Sequence, residues 1–512
     1  MLELQAWSVF LDANLDKTNF AATLLVILLV SVPLVLNPEG GAALVQQSYA
    51  FIATNFGWLY AAAGVGAMLV LGWLAFSRFG KVKLGLADEE PEYSTYSWVA
   101  MLFCAGVGAG LMYWSAIEWA YYYDGPPFGA ESRSVEAAKW ASSYGIFHWG
   151  FTAWAFYCLP TLAIAYPFYA QRVPVLKYSV GCHYWLEGKE ESLPARAMDF
   201  LFMIAMIGGA GSSLGFSTPL IAALISRLTG IETGFGLEAG VVMLCVVIFA
   251  TSVYMGLERG IKRLSDINMF VALVLLAFVF VAGPSLFIVK TSLNSIGTVI
   301  QNYVAMSFWT DPFTESRFFE DWTVFYWAWW IAYGPFVGMF VTRISRGRTI
   351  RQVIGGMLLY GTLGGALFYM VLGNFSLGLQ LSGELDVLAV MAEADGNQAI
   401  VASFDQLPMA GLAIGLFCFV SIVFSATTYD SASYILASSA SHRLHPSEDP
   451  PRWHRSFWAL ALAILPLTLM YIGGIKVAQT SVLVASLPIL LTGVLSTVAL
   501  IKSLQRDHVA DE

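Results

Sequence analysis

Between residue 19 and residue 501 the chain passes through twelve apolar stretches, each long enough for a helix to cross a lipid bilayer. A hydrocarbon core about 30 Å thick takes about 20 apolar residues per helix. The stretches run 19–36, 57–76, 97–123, 143–168, 199–228, 236–256, 264–289, 322–342, 353–378, 409–440, 456–473 and 479–501. Backbone exposed to lipid must satisfy its own hydrogen bonds, so this pattern predicts an all-α polytopic membrane protein with twelve transmembrane helices. Only 12% of residues are charged, about half the share in a soluble domain, too few to cover a water-facing surface. A net charge of −9 offers no basic patch for nucleic acid. Five scattered cysteines, four of them in apolar stretches, imply neither a disulfide framework nor a metal cage.

Asp12, Asp16 and a single Lys17 precede the first stretch. A basic leader is missing there, so that stretch is expected to stay in place as a membrane helix. With an even number of spans both termini share a side. Of the 26 lysines and arginines, 20 fall in the segments on that same side, and the positive-inside rule makes it cytoplasmic. The expected location is the cytoplasmic (inner) membrane. On the other side the largest segment, about 290–321, contains Thr310 to Asp321, read either as a short interfacial helix or as an ordered surface loop.

The third span carries glycine at 106, 108 and 110. Alternate glycines surround a helix with small residues, whereas one packing face wants them four apart. Each costs about 1 kcal/mol against alanine, so local unwinding that frees mid-membrane amides and carbonyls is one reading, and close packing is the other. The eighth span carries a second interruption, Tyr333-Gly334-Pro335. Interrupted spans in matching positions of two halves point to an inverted-repeat transporter. The expected organisation is two leading helices (1–96), a first five-helix repeat (97–290), an outer segment (291–321) and a second five-helix repeat with a short tail (322–512).

Two aromatic clusters lie within spans, where interfacial belts cannot explain them. One is His148-Trp149 through Trp154 and Tyr157; the other is Trp322 through Tyr326, Trp327, Trp329, Trp330 and Tyr333. Trp154 and Tyr157 share a helical face, as do Tyr326, Trp330 and Tyr333. A quaternary ammonium donates no hydrogen bond, so its recognition falls to ring quadrupoles, about 2 kcal/mol per desolvated contact. Three or four such contacts approach the ~8 kcal/mol of micromolar binding. An aromatic-rich core is the other reading.

On these residues the sequence resembles the betaine/carnitine/choline transporter family. The match is carried by Trp322-Thr-Val-Phe-Tyr-Trp-Ala-Trp-Trp330, the basic loop Arg343 to Arg351, the glycine run with Glu118, and His148-Trp149-Gly150. The resemblance implies the sodium-symporter (LeuT-like) architecture of two inverted repeats, spans 3–7 and 8–12, and a homotrimer. It further implies a substrate box of Trp149, Trp154, Tyr157 and Trp330, with Trp329 adjacent, Tyr333 on the exit path, and Gly106, Gly108 and Gly110 beside it. Ile117-Glu118 followed by Tyr121-Tyr122-Tyr123 looks more like the carnitine-type members, which brings Tyr121 into the box; Trp119 departs from the Glu-Pro of betaine-type members. The implied cargo is a zwitterion such as carnitine or a betaine, or a related sulfonium. Members activated by osmotic stress carry long basic tails, and residues 502–512 hold two basic and three acidic side chains, so that regulation is not expected.

For sodium, the resemblance matches the carbonyls of Cys104, Val107 and Phe424 and the hydroxyls of Thr427 and Thr428. Sodium-independent carnitine exchangers lack one such hydroxyl and use a basic residue at the start of span seven. Lys262 and Arg263 stand there, so exchange stays open. Threonines inside a helix also bond back to the preceding turn. Glu118 and Asp430 are acids within or near spans, which makes them functional candidates. Glu118 reads either as an orienting group for the unwound segment or as an interfacial carboxylate. Asp430 has Thr427, Thr428, Ser431 and Ser433 to satisfy it, and His148 reads as a satisfied helix-end residue. A membrane enzyme is the competing class, but no His-Glu-x-x-His zinc motif occurs, and Gly211-Ser-Ser-Leu-Gly215 lies within a span without the strand a nucleophile elbow needs. An amino-acid transporter would want hydrogen-bond acceptors where these rings stand. No cofactor is expected beyond sodium as the coupling ion.

Overall fold

The computed structural model describes residues 14–105, 107–189, 191–254, 258–442, 449–472 and 475–508. Asp16 accepts the amides of Thr18 and Asn19, both at 3.1 Å, and so opens α1 (Lys17–Leu36). Asn37, with proline following, opens α2 (Pro38–Phe76). Helices α3 (Thr95–Ala105) and α4 (Ala109–Asp124) occupy the third span and meet at 62°. Helices α5 (Val135–His148) and α6 (Phe151–Ala165) are joined through Trp149-Gly150. Then come α7 (Leu193–Thr229), stopped by Gly230 at φ +78°, α8 (Phe235–Tyr254), α9 (Glu258–Ala282) and α10 (Ser285–Phe308). A π turn, Phe319–Val324, leads into α11 (Phe325–Ile344). A Thr349/Gln352 capping box starts α12 (Ile350–Ser382), which contains π turns at Met357–Gly361 and Tyr369–Gly373. Short α13 (Val387–Glu393) and α14 (Gly396–Asp405) precede α15 (Ala410–Ser439), α16 (Arg452–Ile472) and α17 (Ile475–Asp507).

Ten of the described helices are long and apolar enough to cross a membrane, or eleven with α3 and α4 taken as one bent span; the apolar part of α8, Phe235–Thr251, is shorter. The described residues form no strand, only the isolated bridges Leu15–Ser441 and Lys83–Thr349. The protein is an all-helical, multi-pass membrane protein. In α11, 83% of the apolar window is buried, and in α5–α6 and α7 78%, against 28% in α1 and α9. The first group is therefore the interior, and α1 and α9 turn apolar side chains such as Leu29 and Phe270 outward.

One expectation changes. The eighth span is not interrupted: α11 runs unbroken through Gly334 and Pro335. A Cβ on Gly334 would stand 2.8 Å from the Phe156 carbonyl oxygen, and one on Gly338 3.0 Å from the Thr161 amide. Two glycines four apart thus let α11 press against α6, which is the packing use of small residues. In the outer segment, the loop reading of Thr310 to Asp321 holds as far as Arg317, between α10, which ends at Phe308, and the π turn from Phe319. A backbone clasp holds the loop before α3 to the loop after α11, through Leu84 N to Arg348 O and Gly347 N to Leu84 O, both 2.8 Å.

Candidate functional site

The aromatic residues singled out from the sequence meet where α6 and α11 cross. Trp149 ends α5 and stands half-buried; Trp154, Tyr157, Trp329 and Trp330 are buried. Trp149 lies 4.6 Å from Trp330 at 70°, Tyr157 lies 6.0 Å from Trp330 at 83°, and Trp154 lies 5.5 Å from Tyr157 at 82°. Successive rings therefore meet near right angles, like walls at corners. Behind Trp330 the rings are parallel instead, with Trp329 at 5.2 Å and 8° and Tyr326 at 5.7 Å and 22°. Hydrogen bonds fix both indoles of the stack: Trp330 Nε1 donates to the His148 carbonyl at 2.8 Å, and Trp329 Nε1 to that of Gly209 at 3.2 Å. The α12 π turn contributes Gly361, against whose bare backbone the Trp154 indole packs. Tyr333 lies along Gly209 of α7, one helical turn beyond Trp330.

The glycine run divides. Gly106 lies outside the described residues. Gly108 is extended, with φ −147° and ψ 179°, and precedes α4. Gly110 makes room for Trp329, since a Cβ there would come within 3.0 Å of that ring. The reading of the run as unwinding thus holds at Gly108, and the packing reading at Gly110.

Tyr121 does not join the box. Its ring contacts are Trp114 at 6.1 Å and Trp322 at 5.2 Å, and its hydroxyl bonds Tyr113 at 2.9 Å. It lines a separate cavity of about 540 Å³ with Phe216, Glu238 and Asp395. Tyr121 turns to Trp114 and Trp322, while Tyr122, one residue on, reaches Glu118.

At the other candidate set, α4 packs against α15. The Cys104 carbonyl accepts the Val107 amide at 3.1 Å. Thr427 and Thr428 both donate to the Phe424 carbonyl, at 3.0 and 2.9 Å. Both hydroxyls thus donate to the preceding turn of α15, which leaves their own oxygens as acceptors. The side chains of Lys262 and Arg263 lie outside the described residues. Arg455 of α16 stands 2.8 Å from the Asp430 carboxylate, because the next helix brings a guanidinium within reach.

Glu118 is the residue the sequence reading placed least well. It is no interfacial carboxylate: it is fully buried. Oε1 accepts Tyr122 at 2.5 Å, and Oε2 accepts both Tyr326 and Tyr369. His148 is likewise fully buried, with Nδ1 at 2.9 Å from the Tyr122 hydroxyl and Nε2 at 3.1 Å from Thr323. It is satisfied and ends α5, as expected, but in the interior. Sequence reasoning missed Tyr369 altogether. The four-residue spacing of Glu118 and Tyr122 was the only local signal.

Known proteins give the same picture at the level of family. The profile described as BCCT, betaine/carnitine/choline family transporter, matches residues 18–509. The chain is 35% identical over 444 residues to the uncharacterized transporter YeaV of Escherichia coli (strain K12), covering 86% of this chain and 92% of that one. It is 32% identical to a carnitine transporter of Acinetobacter baumannii, over 85% of this chain and 79% of the relative. It is 33% identical to a glycine betaine transporter of Acinetobacter baylyi, over 97% and 74%. These relatives are transporters and not enzymes. With nearly its whole length matched, the chain belongs to the betaine/carnitine/choline transporter family.

Proposed function

We propose that the protein is a secondary transporter importing a quaternary-ammonium or sulfonium zwitterion, carnitine or a betaine, with sodium as the coupling ion. The observation that carries this is the cornered set Trp149, Trp154, Tyr157 and Trp330. Walls at 70° to 83° present π faces from several directions to one small cation, which a parallel stack cannot do. The names of the carnitine and glycine betaine relatives support the substrate class. For the architecture the proposal keeps twelve crossings, counting α3–α4 as one and α8 as another, arranged as inverted repeats from α3 to α9 and from α11 to α17. The proposal keeps both termini cytoplasmic in the inner membrane, supported by the 20 basic residues that twelve crossings place on one side. The homotrimer is carried over from the family.

Trp330→Leu and Trp154→Leu test the box. Each removes a π contact worth about 2 kcal/mol, so affinity for L-carnitine or glycine betaine should fall roughly thirtyfold. Trp→Phe should lose less. Tryptophan quenching in purified protein reads the loss, and unchanged affinity in both leucine variants sinks the assignment. Choline, which lacks the carboxylate, separates recognition of the cation from recognition of the zwitterion.

One observation favours the sodium-independent exchanger: the Phe424 carbonyl already serves two hydroxyls, so one expected ligand is taken. Equal uptake in sodium and potassium buffers, accelerated by internal carnitine, would establish exchange.

A further inference from the structure

Glu118 presents a question that the box leaves unanswered. A carboxylate in the membrane interior is expensive and is kept only with compensation. Among the described residues no lysine or arginine pairs with it. The ionisable groups facing it are Tyr122 of its own helix, His148 of α5, Tyr326 of α11 and Tyr369 of α12. Its carboxylate stands 3.9 Å from His148 Nδ1. Three phenols donate to an acceptor with room for about four, which suits the anion. The proton order follows. Tyr122 has one proton and gives it to Glu118, so His148 Nδ1–H donates to Tyr122, and Thr323 donates to Nε2.

Two of these phenols belong to the surroundings of the box. The Tyr326 ring is parallel to Trp330, 5.7 Å away, and the Tyr369 ring lies 5.9 Å from Trp149. The four box residues themselves carry no formal charge. A phenol hydrogen-bonded to a carboxylate is polarised by it, and in a low dielectric that polarisation reaches the ring. The carboxylate's own field also acts one ring's breadth away with little screening.

We propose that Glu118 sets the box's preference for a cationic headgroup, as a positioning residue acting through Tyr326 and Tyr369. The proposal rests on the function proposed above. A purely structural Glu118, tying α4 to α11 and α12, predicts something else: equal loss for charged and uncharged ligands.

Glycine betaine and 3,3-dimethylbutanoate separate the two. They share an outline and a carboxylate, and differ only in nitrogen against carbon, hence in one positive charge. Glu118→Gln keeps the shape and removes the charge. Competition binding, read by tryptophan quenching on the purified full chain, should show betaine weakened about tenfold, one step of 1.4 kcal/mol. The isostere should bind no worse, so the ratio narrows. Glu118→Asp keeps the charge and should stay nearer the wild type, although it is shorter. An unchanged ratio, or Gln binding betaine better than Asp, overturns the proposal. Should Glu118→Gln not fold, Tyr326→Phe keeps carboxylate and ring while cutting the link, and the same narrowing is expected. If the wild type binds none of betaine, carnitine and choline, the functional reading itself falls, which is a different result.

Discussion

The third and eighth spans both carry glycines within apolar helix, and they fold in opposite ways. Between α3 and α4 the helix stops, Gly108 takes an extended backbone, and the two pieces meet at 62°. Across Gly334, Pro335 and Gly338, α11 goes on unbroken. Proline here should disrupt, since it removes a hydrogen bond and crowds the preceding turn, and it disfavours helical backbone in the residue before it. That residue is Gly334, whose missing Cβ relieves the clash. The same absence admits the Phe156 carbonyl, and Gly338 one turn on admits the Thr161 amide. Glycines four apart therefore build a seam, while glycines two apart cannot all face one neighbour. Spacing, more than glycine content, separates a hinge from a contact.

The seam offers the largest effect. Gly334→Val adds a branched Cβ where the nearest atom, 2.8 Å away, is backbone that cannot swing aside, and it restores the clash with Pro335. Overpacking of this kind costs about 1–3 kcal/mol, and the loss should show as a lower melting temperature and less monodisperse protein by gel filtration. Wild-type behaviour would mean that α11 and α6 are not in close contact.

The break makes its own prediction, because carbonyls freed from a helix are what a cation in mid-membrane needs. Sodium should raise substrate affinity through the side of α4 that faces α15. Thr427→Ala or Thr428→Ala each removes one hydroxyl oxygen, and half-maximal sodium should rise roughly tenfold for either, the equivalent of one hydrogen-bond-sized interaction. Substitutions in the α11 seam that still fold should leave sodium dependence alone. If they shift it as much as the threonines do, the break is not the cation's place.

What the sequence disclosed depended on how local the signal was. Apolar length is local, and the helices follow the apolar stretches closely. Two exceptions are α2, expected from 57 and found from Pro38 because Gln46, Gln47 and Asn55 dilute its first half, and α10, which lies almost wholly outside the apolar stretches. The pairing of Trp154 with Tyr157 and of Tyr326 with Trp330 is helical geometry, and all four rings came out in contact. The Glu118 cluster is the contrary case. Tyr326 is 208 positions away and Tyr369 is 251, so only tertiary packing brings them to the carboxylate. Tyr121 shows the limit of phase counting: three residues past Glu118 would keep it on the same side of an ideal helix, yet Tyr122 is the one that reaches the carboxylate.

Acid provides a finer contrast, because the α11–α6 seam at Gly334 and Gly338 is built of backbone and Pro160 and has nothing to titrate. The start of α1 does. Burial alone would raise the Asp16 carboxyl, but hydrogen bonds from Arg196 and the Asn19 amide, with the charges of Arg196 and His442, outweigh it and hold it below the ordinary range. A lowered folded value means stability that is complete above the unfolded value, about 3.9, and that is lost as pH falls through the folded one. Asp16→Asn keeps a good helix cap and removes the ion pair, whose Arg196 is partly exposed, so its cost at neutral pH should be about 0.5–1 kcal/mol. Melting temperatures of the variant should fall less between pH 5 and pH 3 than those of the wild type; parallel falls would show that other groups govern acid sensitivity.

The smallest effect should come from the most conspicuous glycine. Gly108 sits at the break, which invites the view that only glycine can sit there. Its backbone says otherwise: φ −147° with ψ 179° is ordinary extended chain, and a Cβ on it would meet nothing within 4 Å. Alanine also narrows the unfolded chain's freedom, which by itself stabilises by about 0.4–1 kcal/mol where the conformation is compatible. Against that, alanine is the better helix former by about 1 kcal/mol, and it would favour closing the break into continuous helix. The first effect favours the folded state as it stands, and the second favours an altered backbone at the break. Gly108→Ala should therefore melt at or slightly above the wild-type temperature while transporting more slowly. Gly110→Ala, whose Cβ would press on Trp329, should instead lose substrate affinity. If Gly108→Ala is destabilised as Gly334→Val is, both spans depend on close contact after all, and the contrast between them fails.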